Sequence, residues 1–219
     1  MSEEIQPIGM YIMFDLKSAD NGIFYWENVV SYPEKLIEFI EEMNENEESH
    51  SRIPEWDTWY ASNDKEHVYG KVKMITPSNR KTKTGNKYID EKTLYIINSL
   101  EMAPELCASD FAKRNRIEEN LINLETSRFS LNMYQPGMGM GPHIDAYDPN
   151  GTGTDLKYTL VCYLNDNYEG GEIVFPNQNV TIKPKAGSMV MFPSGDPYTH
   201  EAKPVTSGKK YLYTTHWKI

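Results

Sequence analysis

From residue 128 to the C-terminus the chain breaks into short apolar-rich runs separated by turns. They are RFSLNMY (128–134), YTLVCYL (158–164), GEIVF (171–175), VTIKP (180–184), SMVMF (188–192) and KYLYTTHW (210–217). Each is too short for an ordinary helix, and β-branched and aromatic residues are spaced as strands require. Such runs bury a face only by stacking on one another, so this half reads as a β-sandwich or barrel.

The first half has a different texture. Residues 33–48 place Leu36, Ile37, Phe39, Ile40 and Met43 near helical spacing ahead of an acidic tail, which reads as a solvated face. Residues 66–76 resemble a strand, followed by a polar loop over 77–86 that reads as a solvated turn. From about 92 to 127 the pattern is helical, with Ser109-Asp110 as a cap before FAKRNRIEENLINLE. The expected architecture is mainly β with helices (α+β), a single domain over 1–219. In it a helical and β support region, 1–127, buttresses a core over 128–219.

Composition narrows the partners. With 32 acidic against 22 basic residues the net charge is −10, which disfavours nucleic acid as main ligand because phosphates need a basic face. Two cysteines, Cys107 and Cys162, exclude a disulfide framework and point to a reducing, cytoplasmic setting. Cys162, on a strand, reads as a buried structural thiol. The acidic opening MSEEIQPIGM has no long apolar stretch, and no run approaches a membrane span, so neither signal peptide nor membrane partner is expected.

There are five histidines, and two stand in informative places. His143-Ile144-Asp145, on an extended strand, would turn imidazole and carboxylate to one face and Ile144 to the other. His200 follows later in GDPYTHEAKPV. Two histidines and one carboxylate form the facial triad that holds Fe(II) with open positions, leaving the ion a net charge of about +1. A bidentate oxo acid could neutralise that charge, and its distal carboxylate would need a buried cation. Lys210 follows the turn Thr206-Ser207-Gly208. By period two, Lys210, Leu212, Thr214 and His216 share a face, and Lys209 points outward. His216 reads as a core or supporting histidine, and His50 and His67 as bland.

These residues carry a resemblance. HID at 143–145, His200 and Lys210 resemble the HxD…H…K pattern of Fe(II)/2-oxoglutarate dioxygenases, in the prolyl 4-hydroxylase-like branch. Tyr134 in its Y-x-x-G-x-x-x-x-P-H setting, YTLVCYLNDNYEGGEIVFP (158–176) and GKKYLYTTHW (208–217) are similar to the family's flanking segments. The resemblance is close over about 128–219 and vague before that. It implies a double-stranded β-helix (jelly roll) with N-terminal helices packed on its larger sheet. It implies His143, Asp145 and His200 as iron ligands. It gives Lys210 to the 2-oxoglutarate C5 carboxylate, with Tyr134, Thr159 and Thr214 as hydroxyl partners. O2 would be consumed, ascorbate would serve as reductant, and 2-oxoglutarate would leave as succinate and CO2 while a substrate C–H bond is hydroxylated. The branch implies a peptidyl proline, in a protein or peptide partner.

One departure stands out: a tyrosine that some members carry three residues before the first histidine is Met140 here. The loop 146–157, with Gly151 and Gly153, is expected to be a lid. Two alternatives stay open, an oxygenase of a free amino acid or small metabolite and a cupin-type metal-binding jelly roll without oxygenase activity. Lys210 speaks against the second, which has no use for such an anchor.

Overall fold

The computed structural model describes residues 14–45, 54–61, 64–76, 84–118, 121–124, 129–146 and 155–218. Among them the order is β1 (Asp15–Asp20), β2 (Ile23–Glu27), α1 (Pro33–Glu45), β3 (Asp57–Ala61), β4 (Asp64–Ile75) and α2 (Lys87–Asn115). There follow β5 (Phe129–Tyr134), β6 (Met140–His143), β7 (Leu156–Tyr163), β8 (Glu169–Gly170), β9 (Ile173–Phe175) and β10 (Val180–Ile182). The last are β11 (Ser188–Pro193), β12 (His200–Ala202), β13 (Val205–Ser207) and β14 (Lys210–Lys218).

An eight-stranded antiparallel sheet, β1-β2-β11-β7-β14-β5-β4-β3, faces a four-stranded sheet, β10-β9-β12-β6, and β13 pairs with β8 beside them. Phe175 of the small sheet meets Phe192 of the large one edge-on at 4.9 Å, and Ile173, Val161 and Val190 join them in the core between the sheets. This is the expected jelly roll.

Alternation along the strands divides the large sheet into two faces. On β5, Phe129, Leu131 and Met133 enter the core under the helices, as do Leu160 and Cys162 of β7 and Tyr211, Tyr213 and Trp217 of β14. The intervening Ser130, Asn132, Tyr134, Thr159, Val161, Tyr163, Lys210, Leu212, Thr214 and His216 face a cavity instead. The helices are amphipathic in the matching sense. Leu36, Phe39, Ile40 and Met43 of α1 and Ile89, Ile96, Ile97, Leu100, Ala103, Cys107, Ala108 and Phe111 of α2 are buried in that same helix-side core.

The support region is helical and β, and its strands reach further than their sequence announces: β1 to β4 extend the large sheet on both flanks, β2 pairing with β11 and β4 with β5. A strand such as DLKSAD carries too little apolar alternation to announce itself; its backbone pairing makes it a strand. One expectation needs correction: no helix starts at Ser109-Asp110. The helix begins at Asn86, whose side chain accepts the Tyr88 and Ile89 N–H groups, runs through Pro104, and ends in left-handed Arg116. Asp110 is a mid-helix residue. Its Oδ2 accepts the indole N–H of the fully buried Trp26 at 2.9 Å and the Arg114 Nε–H at 2.6 Å.

Asp110→Ala should therefore strand a buried indole donor and cost ~1–3 kcal/mol, read from the urea midpoint. Asp110→Asn, which keeps an acceptor oxygen, should lose less.

Candidate active site

A cavity of about 910 Å³ opens between the sheets, and His143, Asp145, His200, Tyr134, Thr159, Lys210 and Thr214 all line it. The seven residues singled out from sequence thus meet in one space, by routes the sequence did not wholly reveal. β6 stops at His143, and Asp145 lies in the turn that follows, not on the strand. The turn is held by the Ala146 N–H donating to the Ser194 carbonyl at 2.9 Å. Ile144, expected to point away, lines the same cavity because the chain has already turned. His200 is brought over by pairing of β12 with β6, which sets it directly opposite His143. Lys210 arrives from the other side. After the turn at 206–208 the chain enters the large sheet, where Lys210 pairs with Tyr134.

At the first pole, His143 Nε2 lies 3.4 Å from Asp145 Oδ1 and His200 Nε2 lies 3.7 Å from Asp145 Oδ2. Each ring is oriented by a backbone carbonyl: Nδ1–H of His143 donates to Gly141 at 2.8 Å, and Nδ1–H of His200 to Tyr198 at 3.2 Å. Those carbonyls fix the tautomer, so both Nε2 lone pairs turn toward Asp145. Among the described residues this trio is the group able to hold a metal, its ligating atoms lying within 4.8 Å of one another. Two imidazoles and one carboxylate, preset in this way, fit a first-row divalent ion such as Fe(II).

Burial works against the charge on Asp145, but the Nε2–H that His143 carries when protonated, nearby His200 and the Thr159 hydroxyl outweigh it and hold the carboxyl down at about 2. Burial, around Phe175 and Phe192, pushes His200 below its ordinary range.

At the second pole sits Lys210, only 1% exposed while neighbouring Lys209 is exposed. Its ammonium donates to the Gly171 carbonyl at 2.6 Å and lies 5.5, 5.1 and 5.8 Å from the ring centres of Tyr134, Tyr163 and Tyr168. Gly171 comes this close because it lacks a side chain: at φ 69° a Cβ would lie 2.9 Å from the Tyr168 ring and 3.2 Å from Lys210 Cδ. Burial, with Lys183 adding and Glu172 opposing, pushes the lysine down to about 7. A cation buried with one carbonyl and three π faces fits an incoming carboxylate. Burial holds the Tyr134 hydroxyl up at about 12, so it remains a neutral donor. The pieces suit 2-oxoglutarate, with Fe(II) at one pole and the carboxylate anchor at the other.

Thr159 differs from its expected part in detail. Its hydroxyl donates to Asp145 Oδ2 at 2.6 Å and contacts Ser194 Oγ at 2.9 Å. Tyr163, Tyr168, Asn132 and Ser194 were not anticipated. The parity of Tyr163 with Thr159 on YTLVCYL could have flagged it, and parity with Tyr134 could have flagged Asn132. Nothing local marks Tyr168 or Ser194. Tyr168, whose ring borders Lys210, has a buried hydroxyl without a hydrogen-bond partner among the described residues. Met140 lines the cavity, as does His216. His67 is exposed and packs against Tyr69. His50 and most of the expected lid, 147–154, lie outside the described residues.

Comparison with known proteins agrees with this geometry. Residues 129–218 match the model of the 2OG-Fe(II) oxygenase superfamily. A PKHD-type hydroxylase of Maricaulis maris is 37% identical over 86 residues, covering 38% of each chain. Human prolyl 3-hydroxylase 2 is 41% identical over 62 residues, or 26% of this chain and 9% of that protein. The matched stretch thus spans well under half the length of these curated relatives. A viral collagen prolyl hydroxylase from Paramecium bursaria Chlorella virus-1 shares the fold, with TM-score 0.54, 19% identity and coverage of 89% of this chain and 94% of that one. So does a Trichoplax adhaerens prolyl hydroxylase solved with a hypoxia inducible factor peptide, with TM-score 0.57, 17% identity and coverage of 90% and 84%. Residues 129–218 are thus similar to a 2OG-Fe(II) oxygenase core, and the chain as a whole shares the fold of the two prolyl hydroxylases.

Proposed function

We propose that the chain is an Fe(II)- and 2-oxoglutarate-dependent dioxygenase that hydroxylates a peptidyl proline. One observation carries the enzyme class: a His143–Asp145–His200 donor set and a buried lysine that forms no ion pair with an acid among the described residues share one cavity. A metal barrel without oxygenase activity has no use for the lysine. The proline substrate is supported by the relative named as a prolyl hydroxylase, human prolyl 3-hydroxylase 2, and by the bordering side chains. Trp59, Tyr69 and Met74 of the large sheet and Met140 and Pro142 of the small one line the cavity as an apolar surface suited to a peptide.

With Fe(II), 2-oxoglutarate and O2 bound, the metal supplies an oxidative decarboxylation to succinate and CO2 coupled to hydroxylation of the substrate C–H bond. The protein's own part is placement. Gly141 and Tyr198 hold the two imidazoles with Nε2 exposed to the metal. Lys210 would pair with the C5 carboxylate, Tyr134 and Thr214 would offer hydroxyls to it, and Val161 and Leu212, which line the same cavity, would present apolar walls to the space between. Ascorbate as reductant and a cytoplasmic setting belong to the same reading. Cys107 and Cys162 are free, buried thiols, and no described helix is long and apolar enough to cross a membrane. The acidic balance keeps nucleic acid outside the proposal.

The test is succinate formation with Fe(II), 2-oxoglutarate, ascorbate and oxygen, across proline peptides and free amino acids. Peptide-stimulated succinate is expected; turnover of a free amino acid alone would overturn the substrate. His143→Ala and Asp145→Ala should each abolish Fe(II) binding and turnover, and Asp145→Glu should be damaging because an added methylene moves the carboxylate by about 1 Å. Lys210→Ala should raise the KM for 2-oxoglutarate more than the iron requirement.

Lys210→Met should uncouple function from stability. A lysine lowered from 10.5 to about 7 by burial leaves the folded chain with fewer bound protons than the unfolded chain between those values, so its burden lightens as pH rises. The Met variant should unfold at higher urea than wild type at pH 7 while losing 2-oxoglutarate binding. The stability gain should shrink toward pH 10.

A further inference from the structure

We infer that Thr159 and Ser194 are positioning residues for the metal-binding carboxylate, a role that rests on the metal site proposed above. The Thr159 hydroxyl has a single proton. The donor–acceptor distance of 2.6 Å to Asp145 Oδ2 aims that proton at the carboxylate, which when ionised can only accept. The contact of 2.9 Å between Thr159 and Ser194 then has one consistent direction: Ser194 donates to Thr159 Oγ1. A directed chain results, from Ser194 O–H to Thr159 O–H to Asp145.

Both donors sit on rigid, dry ground. Ser194 is 0% exposed and Thr159 2% exposed. Thr159 belongs to β7, where it pairs with Phe192 of β11 on one side and His216 of β14 on the other. Ser194 follows β11 directly. Its N–H donates to the Lys157 carbonyl at 3.1 Å, and its own carbonyl accepts the Ala146 N–H at 2.9 Å. Ser194 therefore holds the Asp145 turn twice, through its backbone next to the ligand and through its hydroxyl by way of Thr159.

The arrangement answers a defect in the ligand's own position. Asp145 lies beyond the end of β6, in a turn leading toward residues 147–154, so no strand fixes its side chain. A carboxylate free to rotate would offer its oxygens indifferently. One oxygen tethered from the large sheet is held at a set angle against the two histidines of the small sheet. The Thr159 proton is also committed here, so the hydroxyl serves the metal ligand rather than the cosubstrate.

The experiment titrates Mn(II) alone, without 2-oxoglutarate, into wild type, Thr159→Val, Thr159→Ser and Ser194→Ala, following free Mn(II) by electron paramagnetic resonance. The KM for 2-oxoglutarate is measured in parallel. Thr159→Val, nearly isosteric, should weaken Mn(II) binding about tenfold or more, and Ser194→Ala should weaken it in the same direction. Thr159→Ser should recover most of the affinity. Wild-type Mn(II) affinity in Thr159→Val would overturn the inference. So would an affinity equally low in Thr159→Ser, which would trace the loss to packing, or a change confined to the 2-oxoglutarate KM. A wild-type chain that takes up no Mn(II) would overturn the metal site itself, and this inference with it.

Discussion

Period-two alternation in three neighbouring strands is the constraint on which the site depends. In β7, β14 and β5 every second residue is committed to the core beneath the helices, with Leu160, Tyr213 and Leu131 nearly or wholly buried there. Because those positions cannot leave, the residues between them cannot leave the cavity. A slip of one residue would carry Lys210 into the helix-side core and bring Tyr211 or exposed Lys209 in its place. The apolar face under α1 and α2 therefore sets the register of the polar face, and the support elements act on the chemistry without touching it.

The surroundings treat the unlike charges of the two poles in opposite ways. The Asp145 carboxylate is surrounded by donors, so its ionised form is favoured despite burial. Lys210 has aromatic faces and one carbonyl, so its charged form is disfavoured. On the function proposed above, the first pole takes a cation and the second an anion.

The sequence disclosed the parts of this plan that local spacing encodes. The inward parity of Lys210 and the amphipathic stripe of α1 follow from periodicity, and the triad from its residue types and the resemblance they carry. What stayed hidden depends on contacts between distant segments. Asp145 seemed to lie on a strand because HxD spacing is satisfied equally by a strand or by a turn pinned from Ser194, 49 positions downstream in the numbering. The strands β1 to β4 owe their form to edges supplied by β11 and β5. Asp110 resembles a helix cap because aspartate favours caps; here the demand of Trp26 for an acceptor, 84 residues away in sequence, gives it another task.

The flanking strands also separate two notions of a domain. Residues 129–218, the stretch that matches the superfamily, contribute β11, β7, β14 and β5 to the large sheet. On one side that block is completed by β2 and on the other by β4, both drawn from the first half of the chain. Trimmed to the matching stretch, the sheet would keep every proposed ligand yet present two bare edges and an uncovered apolar face, the features that drive strands to pair with other molecules. The stretch that resembles the superfamily and the stretch that closes the sheet are thus of different size: the first half supplies the two flanking strands and the helical cover.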